Sequence, residues 1–315
     1  MKAATISRGT IPKRGSLRKG FRTGNYDLFL LLIPAVIQVI IFRYVPVLGM
    51  QIAFKDFRTN LGIWGSEWNN FEHFIRFFNS YNFWEVLTNT LTLSLAMVVF
   101  TFPVPLIFAV LLNQVPFKKF AKTLQTVSYA PYFISTVVLV GMLYSFLSPS
   151  TGIINLLLGK LGREPINFMG ASGWFVPMYV ISAIWQTTGY SAIIYIAALS
   201  NVSKDLYEAA RIDGASKAQQ ILHIDFPSLA PTAIILLVMS LGQIMNVGYE
   251  KTLLMQNAMN LSRSEIISTY VYKLGLEQAR YDFSTAVNLF NTVINFIILL
   301  IVNRSAKKFS GTSLW

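Results

Sequence analysis

Apolar positions along the chain gather into long uncharged blocks. Six stretches, near residues 28–50, 86–113, 126–148, 174–199, 230–249 and 283–302, run for about the ~20 residues that a helix needs to cross the hydrocarbon layer of a bilayer. The pattern predicts an all-α integral membrane protein with six transmembrane helices. Arg43 lies inside the first stretch, near its end, where a long side chain reaches the interface. Pro103, Pro105, Pro131 and Pro177 fall in or near spans and predict kinks there, because proline is tolerated in membrane helices.

Composition supports the membrane reading. Of 315 residues, 54% are hydrophobic and only 13% charged, against roughly 25% charged in soluble domains. Cysteine is absent, which excludes disulfides, thiolate metal sites and cysteine nucleophiles. The net charge of +12 would suit nucleic acid if it were spread evenly, but it is not. Residues 1–27 hold seven basic side chains, and with the loops near 114–125 and 200–229 and residues 303–315 that side collects sixteen of the 26 Lys and Arg. The opposite side holds the other ten, offset by nine acids. The positive-inside rule then places both termini in the cytoplasm, and anionic lipid headgroups are the counterpart of the charge. A cleaved signal peptide would begin in the same way, but the apolar stretch continues into RYVPVLGMQIAF with no small-residue cleavage pattern, so the first helix reads as retained.

Two segments between spans carry more than connection. Residues 54–84 are dense in aromatics, and Phe71, Phe74, Phe77 and Phe78 recur at helical spacing. That stripe predicts an interfacial helix anchored in the headgroup layer, or a docking surface for an external partner. The segment NVSKDLYEAARIDGASKAQQILHIDFPSLAP between spans four and five reads as two short helices. Ser203 caps the first, Asp205 and Glu208 sit near its positive end, and Asp213-Gly214 breaks it. Ser216 with Gln219 forms a capping box for the second, and Pro227 is expected to close the unit.

Glu208-Ala209-Ala210, Gly214, Ile224 and Phe226-Pro227 match the EAA-x3-G-x9-I-x-L-P loop of bacterial ABC importer permeases, with Phe226 in place of Leu. The chain therefore resembles the permease subunits of binding-protein-dependent, type I ABC importers. YVPVLGMQIAFKDF at 44–57, SPSTGIINLLL at 148–158 and LFNTVINFIILLIVN with a terminal SLW are similar to the sugar-permease branch that handles complex oligosaccharides, including alginate and pectin-fragment importers. Ser203, where relatives often carry Pro, and Asp225, where they often carry a less polar residue, depart from the pattern. The resemblance implies a type I permease fold: a basic tail at 1–27, a first helix and aromatic outer loop at 28–83, a permease core at 84–302 with a coupling loop at 200–229, and a cytoplasmic tail at 303–315. It implies that Glu208, Ala209, Ala210, Asp213, Gly214, Ile224 and Pro227 form a coupling helix seated on a separate ATPase subunit. Glu208 would face a basic residue there. The partners implied are a second, similar permease, two ATPase subunits, an external solute-binding protein and membrane lipid, with no nucleic acid, in a bacterial plasma membrane.

No phosphate-cradling G-x-x-x-x-G-K-[ST] loop occurs; GTIPKRGS at 9–16 has the wrong spacing. This chain is therefore expected to bind no cofactor itself, with ATP and Mg used by the partner ATPase. Enzyme chemistry within the membrane would need acids or histidines at depth, whereas His73 and His223 fall on opposite sides and no metal site or triad is assembled. A permease for a non-sugar solute, a secondary carrier and a gated pore remain alternatives; the last two do not need the loop. Sugars offer hydroxyls to hydrogen-bond and apolar faces to stack, which makes Asn89, Tyr132, Trp185, Gln186, Tyr190, Gln243, Asn246, Asn288 and Asn291 candidates for a central cavity. Bonding between helices is the competing role for each. No Arg or Lys deep in these spans offers a counter-charge to an acidic sugar.

Overall fold

The structure is a computed structural model that describes residues 26–311, 313 and 314, so nearly all of the basic tail at 1–27 lies outside the described residues. The described residues up to Gln51 form one unit and those from Ile52 onward another. In the first unit, α1 (Tyr26–Val39) passes through Pro34 into a π turn, Ile40–Tyr44, and a short helix, Val45–Gly49. Pro46 follows one residue after the π turn. A wider turn ahead of a proline eases the clash between its ring and the carbonyl four residues back.

The second unit begins with a two-stranded antiparallel ribbon, β1 (Lys55–Asp56) against β2 (Glu67–Trp68). A seven-residue helix, α2 (Glu72–Phe78), follows. The predicted interfacial stripe splits here. Phe77 is fully buried against Phe83, Phe283 and Phe290, while Phe71 and Phe78 are exposed. One of the four stripe residues is thus core and Phe74 is half-buried, because the helix packs on the last span instead of standing clear of it.

The second span consists of α3 (Phe83–Thr101) and α4 (Pro103–Asn113), broken at Phe102, where Pro103 opens a new helix whose first N–H is not needed. The stretch predicted as one span over 126–148 is two helices. α5 (Lys118–Tyr129) runs through a 3-10 turn at Ala130–Phe133, and α6 (Thr136–Phe146) leaves at 96°. Pro131 stops the first helix, Ile134 is extended, and the Ser135 Oγ accepts from the Val138 N–H to start the second. Hydropathy registers apolar length and not direction, so it joined them. After a short helix α7 (Ile153–Lys160), the fourth span α8 (Phe175–Ser200) packs on α3 and α4, with Pro177 harmless in its first turn. At Gly189 a Cβ would stand 2.1 Å from the Ser128 carbonyl oxygen, so α8 meets the end of α5 only because no side chain is there.

The loop helices α9 (Lys204–Ile212) and α10 (Lys217–Gln220) follow. Pro227 does not close them. α10 continues through a π turn, Ile221–Asp225, into α11 (Phe226–Leu241), so Lys217–Leu241 is one apolar helix long enough to cross a membrane. The predicted fifth span, 230–249, is displaced accordingly and ends at Gly242. Beyond it α12 (Tyr249–Met255) and α13 (Ile267–Tyr272) lie in what the sequence presented as an outer connection. The last span, α14 (Tyr281–Ser310), extends through most of the expected 303–315 tail before Gly311 turns left-handed. Only 17–33% of each straight span's apolar window in this unit is buried, which leaves the remainder for lipid or a partner chain.

Candidate functional site

Two features survive from the sequence: the loop after α8 and a set of polar side chains on the spans. In the loop, the Ser203 Oγ accepts from the Asp205 N–H at 3.2 Å and opens α9. Glu208 and Ala209 are exposed on that helix, Ala210 is half-buried, and Glu208 has no ion-pair partner among the described residues. The helix ends in a Schellman turn: the Gly214 N–H donates to Arg211 O at 3.1 Å and the Ala215 N–H to Ala210 O at 2.8 Å. Gly214 has φ +76°, a conformation that the residue after Asp213 reaches cheaply only as glycine. The Ser216 and Gln219 capping box is formed in both directions. Ala210, Asp213, Ile224 and His223 border a depression of about 280 Å³ between the two helices. Leu206 and Ile212 on α9 and Leu222 in the π turn that follows α10 stand exposed. A rigid protrusion that displays apolar side chains among charges is built to be covered.

What holds the protrusion was not legible. Asp225 is completely buried, inside the π turn. Its Oδ1 accepts from the Tyr207 hydroxyl at 2.5 Å and from Asn113 Nδ2 at 3.1 Å, and its Oδ2 accepts from Gln114 Nε2 at 2.7 Å. One carboxylate thus ties the first loop helix to the end of the second span and the start of the fifth. Burial and the Asp225 carboxylate together push the Tyr207 phenol up to about 12, so it stays a donor across the physiological range. The signal in the sequence was the polar pair Asn113-Gln114 closing an apolar stretch.

The cavity candidates separate into three groups. Asn246 and Asn288 line a cavity of about 610 Å³ together with Tyr249, Tyr272, Tyr281, Ser268 and Thr285. Behind it, Asn291 donates to Asn246 Oδ1 at 3.0 Å, and Asn246 donates to Gln243 Oε1 at 2.8 Å. Gln243 and Asn246 meet in a turn after α11 and not on a helix face. A second group lies elsewhere: the rings of Tyr132 and Tyr190 stack with centroids 3.8 Å apart and planes within 4°, and Tyr190 borders a separate cavity of about 370 Å³. The third group is structural or uncommitted. Asn89 donates to the carbonyls of Ser262 and Glu265, Gln186 donates to Ile134 O at the bend, and Trp185 is exposed at no cavity described. Asn89 and Gln186 satisfy backbone carbonyls that the breaks leave open, and Asn89 also borders a small cavity of about 190 Å³.

Sequence reasoning missed Tyr249, the last residue of the predicted fifth span, and Tyr272, in a segment assigned to an outer connection; their rings stack 5.7 Å apart at the cavity wall. It also missed Lys251. No basic residue lies deep in the spans, but Lys251 is buried just past them, its Nζ donating to Tyr179 O at 3.0 Å and standing 4.3 Å from the Tyr179 ring centre. Burial pushes its ammonium down to about 7, against the pull of the ring and the carbonyl.

Comparison with known proteins adds three findings. Residues 102–311 match the family profile described as the binding-protein-dependent transport system inner membrane component. The chain is 41% identical over 288 residues to the protein LplB of Bacillus subtilis, with 91% of each chain covered. It is 40% identical over 288 residues to the polygalacturonan/rhamnogalacturonan transport system permease protein YteP of the same organism, covering 91% of this chain and 90% of that one. Among solved structures, a bacterial alginate ABC transporter in complex with alginate pentasaccharide-bound periplasmic protein aligns over 95% of this chain and 100% of its own, with TM-score 0.87 and 37% identity.

Proposed function

The chain belongs to the family of binding-protein-dependent transport system inner membrane components, and from that premise we propose that it is the permease subunit through which an ATP-driven importer moves an oligosaccharide. The observation that carries this reading is the two-helix protrusion locked to two spans by Asp225. Such a handle transmits force only if something grips it. A separate ATPase subunit would cover Leu206, Ile212 and Leu222 and set a basic side chain against Glu208. ATP and Mg would act there, since this chain has no loop that cradles phosphates. When two such ATPases close, the protrusion moves as a rigid body with α11, and the spans alternate between inward- and outward-facing states.

A second, similar permease would complete the pathway, and a solute-binding protein would deliver cargo to the face opposite the loop. Both termini would lie in the cytoplasm with the loop. The cargo assignment rests on the 610 Å³ cavity, whose described wall is neutral: Asn246, Asn288, Ser268 and Thr285 for hydroxyls, and Tyr249, Tyr272 and Tyr281 for sugar ring faces. The permease YteP and the alginate transporter support an oligosaccharide of uronic acids as the first cargo to test, alginate being an acidic polysaccharide. The test is uptake by cells with and without the gene, using labelled oligogalacturonate, oligoalginate, a neutral oligosaccharide and an amino-acid mixture. Loss of uptake confined to one of the sugars supports the reading; loss confined to amino acids overturns the cargo.

A further inference from the structure

On the face opposite the loop, the fold gathers side chains that the sequence left far apart. The His73 imidazole on α2 is buried, and its Nε2 lies 3.0 Å from the Lys55 carbonyl oxygen, 3.8 Å from Asp56 Oδ1 and 3.6 Å from Asp282 Oδ2. Asn69, just after β2, places its amide nitrogen 2.8 Å from both His73 Nε2 and Asp56 Oδ1. The carboxylate and imidazole ligand atoms all fall within 4.8 Å of one another.

Hydrogen bonding alone does not account for this arrangement. If Nε2 carries the proton it donates to Lys55 O, and the Asn69 N–H then faces another donor. If Nε2 is bare it accepts from Asn69, and its lone pair then faces that of the Lys55 carbonyl. Turning the Asn69 amide over removes the first conflict but sets its oxygen against the Asp56 carboxylate. As it stands, the Asn69 Oδ1 is buried with no donor. The nearby cations do not resolve the site: Lys55 Nζ is spent on Ile63 O, and Arg76 and Arg280 lie over the Phe283 ring without pairing to either acid.

We propose that Asp56, His73 and Asp282, with the Lys55 carbonyl, bind one divalent cation. Two carboxylates neutralise its charge, and the Asn69 amide adds a fifth ligand once it turns its oxygen inward. Ligands held ~2.1–2.3 Å from a metal are separated from one another by roughly 3–4.6 Å, and the distances from His73 Nε2 to Lys55 O, Asp282 Oδ2 and Asp56 Oδ1, 3.0–3.8 Å, lie within it. One imidazole among oxygens favours Mn²⁺ or Zn²⁺ over Ca²⁺ and Mg²⁺, which take oxygen ligands. The second oxygen of Asp282 accepts from the Phe283 N–H at 2.7 Å and so fixes the carboxylate at the head of α14. The cation would staple the β1–β2 ribbon and α2 to the last span, above the buried cluster of Phe77 and Phe283. This inference does not depend on the nature of the cargo.

The test uses the assembled, nucleotide-free transporter with affinity tags removed, stripped with EDTA and dialysed against MnCl₂, ZnCl₂, CaCl₂ or MgCl₂. Retained metal is measured by mass spectrometry, and bound Mn²⁺ by its electron paramagnetic resonance signal. One Mn²⁺ or Zn²⁺ per copy of this chain is expected, not displaced by equal Ca²⁺ or Mg²⁺, with affinity lowered ~10-fold or more in His73→Gln and Asp282→Asn. Should either variant fail to assemble, Asp56→Asn, whose side chain is 57% exposed, is read in its place. Saturable binding that is the same in the variants, or no saturable binding to the wild type, overturns the site.

Discussion

Tyr207 donates its hydroxyl to Asp225 eighteen residues away, joining the first helix of the exposed loop to a carboxylate fully buried at the head of the fifth span. The bond makes the loop a rigid extension of the span. A hydrogen bond to a buried charge contributes about 1.5–3 kcal/mol, so Tyr207→Phe is expected to loosen the loop without unfolding the chain. Uptake should fall while the amount of assembled complex is kept. Hydrogen exchange across residues 204–212 should rise in the variant; unchanged exchange would mean that the bond does not hold the loop.

Asp225→Ala removes the acceptor for three donors at once and leaves the half-buried Gln114 amide without its acceptor. Unlike Tyr207→Phe, this variant is expected to lower the amount of assembled complex several-fold, measured by pull-down of the ATPase from detergent extracts.

Glu208→Lys reverses an exposed charge on α9 and touches no packing. Membrane insertion should be normal, with ATPase recovery in pull-downs and uptake both falling at least about tenfold, the effect expected of breaking a charge pair in an interface. Normal recovery of the ATPase would remove Glu208 from the docking surface.

At the cavity, Tyr249→Ala and Tyr272→Ala each remove one member of a stacked pair. Each is expected to raise the cargo concentration giving half-maximal uptake, or lower the rate, by about 5- to 100-fold, on the ~1–3 kcal/mol scale of one lost ring contact. Asn89→Ala should behave differently, lowering thermal stability with little effect on cargo dependence, since its amide bonds two backbone carbonyls.

Lys251 supplies a pH dependence. Between about pH 7 and the ordinary lysine value of 10.5 the folded chain has released a proton that the unfolded chain still holds, so folding stability rises with pH in that window and gains nothing below it. For one proton the slope within that window is at most about 1.4 kcal/mol per pH unit. Thermal unfolding from pH 6 to 9.5 should show the rise in the wild type and a shallower one in Lys251→Met.

Much of this was written in the pattern of residues, and the misses have causes. Ser203, Gly214 and the Ser216–Gln219 pair act through bonds within three or four residues, so each was visible locally. The 96° turn at Pro131 and the continuation of the helix through Pro227 were not, because a proline states that a helix is disturbed and leaves the direction of the chain afterwards to packing. Asp225, Lys251 and the His73 cluster depend on contacts between segments distant in the chain, which no spacing reveals. Asn89 and Gln186 bond backbone at broken helices, a role the sequence could not separate from binding because a polar residue in a span reads the same whether it meets cargo or a broken helix.

The measurement that bears most directly on the central claim is uptake of a labelled oligosaccharide into proteoliposomes containing this chain with its second permease, ATPase pair and binding protein, with ATP supplied to the loop side. Accumulation against a gradient that needs ATP, and that Glu208→Lys abolishes while leaving the chain in the bilayer, is the result expected. Uptake that proceeds equally without ATP, or equally well with Glu208→Lys, would contradict the account.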